Sequence, residues 1–485
     1  MAVLSGLEPR AVFEYFEELC SVPHGSGDTK RISDLCVGVA KELGLRWRQD
    51  EYDNVIIWKD ASPGCEGAAP VILQGHIDMV CVKEEGCAKD MAAEGVDLRT
   101  DGEWVWAERT SLGGDNGAAV AMILAVLADG SLVHPPLEAV FTADEEVGLV
   151  GASRIDCSDL KGRKLINLDS EEEGAFTVSC AGGVQLDGFL PGTQTPLEGE
   201  AGYALVLDGL LGGHSGAEIH KGRASANQVM IRALYGAMAR IPGLRLADVR
   251  GGEFDNVICS KSEAKIAVPA DRAGEFEAFV REFGAALRDE YRGCDDGIAL
   301  TCERTALDRA LPREATEGIL RTMLAVPQGV QAMSADFPGL VQTSLNLGVV
   351  DLREDGLHLS VSVRSCIASQ KEMLVQRMEA VMALGGGTLT RQGDYPGWQY
   401  DRGSALLKDV LAVYREVCGR EGTVQATHGG LECGLFIEKL PGLDAVSFGP
   451  EIHGAHSVKE RLSVASTRRV YEVVRALLER ESGSR

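Results

Sequence analysis

The sequence predicts an α/β protein in which a mainly parallel sheet covered by helices is interrupted by an inserted α+β domain. At 485 residues the chain is longer than one hydrophobic core can hold, so two or three domains are expected. Between about residues 53 and 185, short apolar runs alternate with helical stretches, which is the pattern of a parallel sheet with helices on its faces. After this region the order of elements changes and then recurs.

The first part of the chain contains the apolar runs that we interpret as buried strands. The predicted strands are 71–73, 137–141 and 164–168. Helices are expected over 9–19 and over 117–128, where Asp115 or Asn116 would cap the exposed N–H groups. The longest apolar run of the chain lies in the second of these helices and is too short to span a bilayer. Ligand sites in such sheets form beyond the carboxyl ends of the strands.

The middle of the chain is interpreted as a β-α-β-β-α unit that occurs twice. The first copy is predicted as strand 203–208, helix 224–239, paired strands 256–258 and 263–268, and helix 273–287. The second copy is predicted as strand 298–302, helix 314–324, strands 344–350 and 357–363, and helix 370–382. The two copies share little sequence, so this doubling depends on the order of elements alone.

The C-terminal part is predicted to rejoin the first domain. Residues 393–398 are interpreted as a return crossing, and the elements after it are helix 405–417, strand 445–448 and helix 466–481. We therefore expect a discontinuous first domain of residues 1–185 and 395–485 and an inserted domain of residues 186–394.

Charge and composition exclude several classes of partner. The formal net charge of −25 repels phosphate backbones, so we expect no nucleic-acid partner. The start of the chain has neither a basic segment nor a long apolar stretch, so we expect no secretory signal and no membrane partner. The 13 cysteines are an odd number and contain no Cys-x-x-Cys pair, which favours a reducing compartment. The predicted location is cytoplasmic.

Five histidine and carboxylate groups lie at predicted strand ends or in glycine-rich turns. They are His76, Asp115, Glu146, Asp169 and His456. Each alone has an ordinary explanation as a loop, cap or surface residue, but together they are what two divalent ions need, a bridging ligand and separate terminal ligands. Asp115 is the predicted bridge because its glycine neighbours let the backbone approach the ions closely. We predict two Zn²⁺ ions, and the same ligands suit Co²⁺ or Mn²⁺.

Two acids beside these ligands are predicted to take part in the chemistry. Asp78, two residues after His76, is placed to accept a hydrogen bond from the second ring nitrogen and so to fix the tautomer. Glu145 and Glu146 point in different directions from an extended segment. We assign Glu146 to metal and Glu145 to general base, which takes a proton from the attacking water and passes it to the leaving amine.

Further candidates for the substrate site lie outside this set. In Gly212-Gly213-His214-Ser215-Gly216, His214 is either part of a flexible turn or a group that stabilises a developing oxyanion, and Asn227 follows it. Arg364 either meets a substrate carboxylate or is an edge-strand charge. Glu432, in the segment 428–433, belongs to a substrate loop or to an ordinary turn.

Several motifs resemble the metallopeptidase M20 family and, within it, the aminoacyl-histidine dipeptidase branch. The matching segments, which together extend over nearly the whole chain, are 21–27, 74–80, 112–117, 144–148, 212–216, 430–436 and 447–450. The chain departs from the branch at Val458, where the branch usually has proline, and at Asn256-Val257-Ile258-Cys259, where it has Asn-Ala-Ile-Pro. Both departures lie where substrate is expected.

The resemblance implies a zinc-binding catalytic domain with an inserted lid that closes on a dipeptide substrate, here of Xaa-His type. It also implies His76 and Asp169 on one ion, Glu146 and His456 on the other, and Asp115 between them. A homodimer in which the partner's lid serves the active site is one expectation, and a doubled lid would remove that need. Two other functions stay open: an amidohydrolase of N-acyl amino acids and a non-catalytic dipeptide receptor, although a receptor would have no use for Glu145.

Overall fold

The computed structural model describes residues 3–483 and separates them into two compact units. The first unit contains the chain through Ser179, Tyr400–Ala426 and the chain from Leu431 onward, and the second contains Cys180–Gln399 and Thr427–Gly430. The sequence prediction placed the junctions at 185/186 and 394/395. The structure places them at 179/180 and 399/400 because Cys180 and Trp398 pair by backbone hydrogen bonds inside the second unit.

An eight-stranded mixed sheet forms the centre of the first unit. The strands, in order across the sheet, are Arg46–Gln49, Val55–Lys59, Leu137–Thr142, Val71–His76, Lys164–Asn167, Asp444–Ser447, Ala175–Cys180 and Thr423–Thr427. The third to sixth of these strands are parallel to one another, whereas the strands that flank them are antiparallel. Val71–His76 and Leu137–Thr142 are buried at every residue, as expected for parallel strands with both faces covered. The predicted α/β class is confirmed, with a parallel centre and antiparallel edges.

Helices and a small second sheet complete the first unit. The helices are Arg10–Cys20, Lys30–Glu42, Gly114–Ala128, Val150–Arg154, Ala405–Cys418, Glu432–Lys439 and Val464–Glu481, and the small sheet contains Leu98–Thr100, Trp104–Ala107, Arg461–Ser463 and Ile452–His453. The apolar helix Gly114–Ala128 is buried along its whole length from Ala118 to Leu127, which agrees with its sequence. Within residues 3–483, every helix is too short or too polar to cross a bilayer.

The second unit is built on one antiparallel sheet. Its strands, in order, are Ala299–Arg304, Ala201–Asp208, Ser262–Val268, Arg245–Gly251, Val341–Leu352, Gly356–Ser365, Gly182–Pro191 and Thr388–Tyr395, and Gly329–Met333 pairs with Val341–Leu352 as a branch. The helices are Ser215–Glu218, Ala226–Arg240, Ala273–Glu290, Arg313–Ala325 and Ala368–Leu384, with short 3-10 turns at Ile219–Lys221 and Ala270–Arg272. Two small pairs, Thr195–Pro196 with Arg309–Ala310 and Gly213–His214 with Val257–Ile258, lie outside this sheet.

The doubled unit is present, but two of its predicted strands were misassigned. In the first half, the strand Ser262–Val268 pairs with Arg245–Gly251, which the sequence reading missed, and not with residues 256–258. In the second half, the strand beside Gly356–Ser365 is Gly182–Pro191, in the position that Ala201–Asp208 has beside Ser262–Val268. The predicted opening strand of the second half instead extends the edge of the first half, where most of its residues stay exposed or half-exposed.

Candidate metal centre

Three of the five predicted ligands lie where central parallel strands end. His76 is the last residue of its strand, Asp169 follows Lys164–Asn167 by two residues, and Glu146 lies in the loop after Leu137–Thr142. Because the carboxyl ends of parallel strands meet at one edge of a sheet, these side chains converge. Asp115 reaches the same place from the start of the helix Gly114–Ala128. His456 comes from the loop that joins two strands of the small sheet.

The five side chains form one cluster with Asp115 at its centre. The Nε2 atom of His76 lies 3.2 Å from Asp115 Oδ1 and 3.6 Å from Asp169 Oδ1. The Nε2 atom of His456 lies 3.2 Å from Asp115 Oδ2 and 2.7 Å from Glu146 Oε1. Each oxygen of Asp115 therefore faces a different histidine, and each histidine has a further carboxylate of its own. This geometry suits one bridging and four terminal ligands.

The donor set fits a divalent cation. Imidazole nitrogen and carboxylate oxygen are ordinary ligands of zinc, cobalt and manganese. The ligand atoms of His76, Asp115 and Glu146 all lie within 4.8 Å of one another. Glu146 Oε1 is buried and, although His456 Nε2 is 2.7 Å away, has no hydrogen-bond partner among the described residues. Two potential ligand atoms this close, without hydrogen-bond geometry between them, suit a shared cation.

Charge at the centre strongly favours a cation. Asp115 and Glu146 raise the pKa of His456 to about 11. Burial lowers the pKa of His76, but the carboxylates of Asp115, Asp169 and Asp78 outweigh it and raise that pKa well above its usual value. The cluster therefore draws positive charge to each imidazole, and a divalent ion between the ligands satisfies the same carboxylates.

Asp78 connects the first histidine to the loop that carries the two glutamates. The backbone carbonyl of Asp78 accepts a hydrogen bond from His76 Nδ1 at 3.1 Å, and the carboxylate lies 3.4 Å from the same nitrogen. The carboxylate also accepts hydrogen bonds from the backbone N–H groups of Glu145, at 2.9 Å, and Glu146, at 3.3 Å. With Nδ1 used as a donor, the Nε2 lone pair of His76 faces the cluster. Asp78 therefore orients a ligand and the loop together.

Asn116 joins two of the strands that carry ligands. Its Oδ1 accepts a hydrogen bond from the backbone N–H of His76 at 3.2 Å, and its Nδ2 donates to the carbonyl of Leu168 at 2.9 Å. A Cβ atom at position 75 would lie 2.6 Å from this Oδ1, so Gly75 is required by close approach. The predicted capping role of Asn116 is therefore wrong, because its side chain serves the strand ends and not the helix.

The turn that presents Asp115 is held by a distant glutamate that sequence reasoning missed. Both oxygens of Glu460 accept hydrogen bonds from backbone N–H groups, those of Leu112 (2.7 Å), Gly113 (3.1 Å), Gly114 (2.8 Å) and Asp115 (3.2 Å). The N-cap residue of the helix is Gly113, which has no side chain with which to cap it. Glu460 takes that place, which leaves the Asp115 carboxylate free for the histidines. The one available signal was the position of Glu460, four residues after His456.

Two residues of the ligand loops have left-handed backbones. Asp144 has φ 54° and His456 has φ 58°. For a residue with a Cβ this region costs about 1–2 kcal/mol, and such residues concentrate at functional sites. Asp144 is held there by a hydrogen bond from the backbone N–H of Gly27 to its carboxylate, 2.6 Å long. These backbones aim Glu145, Glu146 and the His456 imidazole.

Glu432 lies behind the ligands and has no exposed surface. Its Oε2 accepts hydrogen bonds from Thr142 Oγ1, at 2.7 Å, and from the carboxamide of Gln74, which in turn accepts one from Asn167. Burial raises the pKa of Glu432 to about 7. The predicted substrate contact is thus corrected: this carboxylate joins two parallel strands through Gln74 and Thr142, and Gln74 extends the link to Asn167 of a third strand.

The backbone N–H of Glu145 is held by the Asp78 carboxylate, and the pKa of its own carboxyl group is strongly perturbed. Burial raises the pKa of Glu145 well above its ordinary value; the positive charge of His76 opposes this, and the negative charges of Asp169, Glu432 and Glu146 add to it. A carboxyl group with a raised pKa holds a proton more readily than an ordinary glutamate does, which suits a proton carrier.

His214 lies in the second unit as the N-cap of a short helix. Its Nδ1 accepts hydrogen bonds from the backbone N–H groups of Gly216 and Ala217, each 3.2 Å long. The ring proton of the neutral imidazole is therefore on Nε2, which can donate. Burial and the charge of Arg364 lower the pKa of His214, so the neutral form is favoured.

The two other candidates of the second unit differ in what their side chains are used for. Asn227 is fully buried, and its Nδ2 donates to the carbonyls of Gly251, Leu347 and Gly348. The predicted substrate contact of Asn227 is therefore corrected to a link between a helix and the sheet. Arg364 donates from Nη1 to Tyr395 Oη at 3.3 Å, and its buried Nε has no hydrogen-bond partner among the described residues.

The chain matches known proteins over most of its length. The model of the family described as Peptidase family M20/M25/M40 matches residues 72–480. The Cytosol non-specific dipeptidase of Escherichia coli (strain K12) is 37% identical over 480 residues, which cover 99% of each chain.

Solved structures share the fold to different degrees. The aminoacylhistidine dipeptidase from Vibrio alginolyticus superposes with a TM-score of 0.92 at 35% identity, and the match covers 98% of both chains. The aminopeptidase PepT from Bacillus cereus ATCC 10987 superposes with a TM-score of 0.58 at 16% identity, over 98% of this chain and 99% of the other. At that identity the second likeness is evidence for the fold alone.

Proposed function

The chain belongs to peptidase family M20/M25/M40, and we propose that it is a cytosolic, metal-dependent dipeptidase that cleaves Xaa-His and related dipeptides. Two relatives that align over nearly the whole chain are named dipeptidases, one non-specific and one for aminoacylhistidine substrates. The observation that carries the proposal is the convergence of five imidazole and carboxylate groups, with Asp115 at their centre. A sixth group, the carboxylate of Glu145, is left for proton transfer. A homodimer stays an expectation of the family resemblance.

We assign the five ligands to two ions, with zinc as the proposed metal. His76 and Asp169 would hold one ion, His456 and Glu146 the other, and Asp115 would contact both. A pair of divalent ions supplies a Lewis acid for the peptide carbonyl and lowers the pKa of water, so that attack is feasible near neutral pH.

Glu145 carries the proton in the proposed reaction. Its carboxylate takes a proton from the attacking water and delivers it to the nitrogen of the scissile bond, which leaves as an amine. Asp78 acts as a positioning residue, because the hydrogen bond from the Glu145 backbone to its carboxylate fixes the loop from which Glu145 extends. Asn116, Glu432 and Glu460 hold the strand ends and the Asp115 turn in the same way.

Two residues of the second unit complete the proposal. His214, with its proton on Nε2, is the proposed donor to the oxyanion that develops on the carbonyl oxygen. Arg364 is the proposed partner of the substrate's α-carboxylate, because a planar guanidinium whose Nε has no hydrogen-bond partner among the described residues suits two-pronged recognition.

A hydrolysis screen tests the function. The purified protein, treated with chelator and reloaded with Zn²⁺, Co²⁺ or Mn²⁺, would be incubated with Xaa-His dipeptides, other dipeptides and N-acetyl amino acids, and the released amino acids would be quantified by chromatography. We expect metal-dependent release from dipeptides, with Xaa-His among the good substrates. Turnover of N-acetyl amino acids alone would indicate an amidohydrolase, and tight dipeptide binding without turnover would indicate a receptor.

A further inference from the structure

An open cleft with apolar walls borders the metal centre. Its volume is about 440 Å³, and its apolar lining consists of Met79, Val80, Met91, Ala92 and Val147. Glu146 is also part of the wall, and its carboxylate is the one that lies 2.7 Å from His456 Nε2. Anything bound in the cleft is therefore next to the ligands of the proposed metal site.

The cleft has the chemistry of a side-chain pocket. Its volume lies within the range of about 300–1,000 Å³ typical of small-ligand sites. Five apolar residues line it, and one of them, Val147, is 59% exposed although it directly follows a predicted metal ligand. Exposed apolar surface beside a polar centre is a feature of binding sites, because burying it against an apolar group releases free energy. The occupant that fits is an aliphatic or aromatic side chain.

The charges of the wall determine which end of a dipeptide lies here. The charged residues of the lining are Asp28 and Glu146, both acidic, and Asp28 already pairs with Arg31. The lining contains neither lysine nor arginine, and the guanidinium of the nearby Arg31 is already used, because it donates to the Asp28 carboxylate and to the backbone carbonyl of Ala92. An α-carboxylate at this place would therefore have no free cationic partner. An α-ammonium group would be attracted to the acidic side. The residue that carries the free amino group is therefore the one whose side chain fits.

We propose that this cleft is the pocket for the side chain of the N-terminal residue of the dipeptide and that it selects apolar side chains by size. This inference rests on the proposed dipeptidase function. Because the apolar walls offer neither a hydrogen-bonding group matched to a particular side chain nor a free cation, leucine, methionine and phenylalanine are accepted alike, and acidic side chains are disfavoured.

Filling the cleft from an exposed position tests the proposal. Ala92 lines the cleft, whereas its neighbour Ala93 is equally exposed and does not, so Ala92→Trp and Ala93→Trp form a matched pair. The kcat/KM of each metal-loaded variant would be measured with Leu-His and Gly-His, which differ at the N-terminal residue, and with Gly-Leu and Gly-Gly, which differ at the C-terminal residue.

We expect an effect that is confined to the N-terminal residue of the substrate and to position 92 of the chain. Ala92→Trp should lower kcat/KM for Leu-His by about tenfold or more relative to Gly-His, the loss that corresponds to excluding a buried leucine side chain. The ratio of Gly-Leu to Gly-Gly should stay unchanged, and Ala93→Trp should change neither ratio. A reciprocal variant, Met91→Lys, should raise kcat/KM for Glu-His relative to Leu-His because it adds a cation to the wall.

The opposite results would overturn the proposal. If Ala92→Trp lowers all four substrates equally, or changes the Gly-Leu to Gly-Gly ratio and not the Leu-His to Gly-His ratio, the cleft does not receive the N-terminal side chain. The activity of the wild type on these four dipeptides would be measured first. Its complete absence would refute the dipeptidase function itself, and a normal wild-type profile with unselective variants would refute only the pocket.

Discussion

Histidines in the two units of this chain have opposite surroundings. In the first unit, carboxylates surround His76 and His456 and raise the pKa of both rings. In the second unit, burial and the charge of Arg364 lower the pKa of His214, and of His428 to about 4. The same side chain thus attracts a cation in one region and stays a neutral hydrogen-bonding group in the other.

The difference shows that neighbours determine the chemistry of a histidine. The cluster around Asp115 places several acids near two imidazoles, an arrangement that favours positive charge. In the second unit, His214 Nδ1 accepts backbone N–H groups, and His428 Nε2 lies 2.8 Å from Ser344 Oγ. Each of these rings has a defined hydrogen bond. Glu218, the acid beside His214, raises the pKa of that ring, but burial and the charge of Arg364 outweigh it.

The largest effect is expected from Glu145, the acid at the centre of the first unit that is not a proposed metal ligand. Glu145→Gln should lower kcat by about 10²–10⁴-fold, the usual contribution of a general acid–base group. Metal content should stay near that of the wild type, because the amide keeps the side-chain shape and Glu145 is not a proposed ligand. Steady-state kinetics and elemental analysis of the same preparation check both statements. Full activity in this variant would show that the proton is carried elsewhere.

A smaller loss of kcat is expected from replacing His214, the proposed oxyanion donor of the second unit. His214→Ala should lower kcat by about 10²–10³-fold through loss of an oxyanion donor, with metal content unchanged. His220, an exposed histidine of the neighbouring turn, provides the control. The comparison of His214→Ala with His220→Ala by steady-state kinetics would contradict the role of His214 if both variants kept the wild-type kcat.

The support of the bridging carboxylate should affect metal affinity more than chemistry. Glu460→Gln replaces one of two acceptor oxygens with an NH₂ group that faces backbone donors, so the Asp115 turn should loosen. Loss of such an outer contact typically weakens metal binding by about 10–100-fold. Competition with a chromogenic chelator measures this, with the exposed Glu421→Gln as control. Equal metal affinity in both variants would mean that Glu460 only stabilises the fold.

The smallest effect concerns stability and pH in the second unit. The folded pKa of His428, about 4, lies below the unfolded value of about 6.5, so the unfolded state binds more protons between these pH values. His428 therefore contributes stability above about pH 6.5 that is lost as the pH falls toward 4. Urea unfolding should show a steeper loss for the wild type than for His428→Gln, by up to about 1.4 kcal/mol per pH unit. Parallel pH profiles would contradict this.

Local sequence signals predicted the centre better than they predicted the second unit. His76, Glu146 and Asp169 were recognisable because an apolar strand ends just before each of them, and the glycine turn marked Asp115. Glu460 could not be found in the same way, because its hydrogen bonds connect positions that are about 345 residues apart in the chain.

Strand pairing in the second unit, and the burial of two polar residues, depended on tertiary packing. The strand Arg245–Gly251 was missed because its three charged residues resemble a loop. Gly182–Pro191 was not predicted, because its partner strand Gly356–Ser365 lies far along the chain. The roles of Asn227 and Glu432 were misjudged for one reason: polarity suggests exposure, whereas both are buried and satisfy backbone or strand-end partners.

The most direct test is the number of divalent ions bound per chain. Wild-type protein and Asp115→Asn would be reloaded with Zn²⁺, dialysed against metal-free buffer and analysed by mass spectrometry of the elements. We expect close to two ions per wild-type chain and clearly fewer in the variant, because Asp115 alone faces both histidines. Active wild-type protein without bound ions, or an Asp115→Asn variant that retains both, would contradict the proposed metal centre.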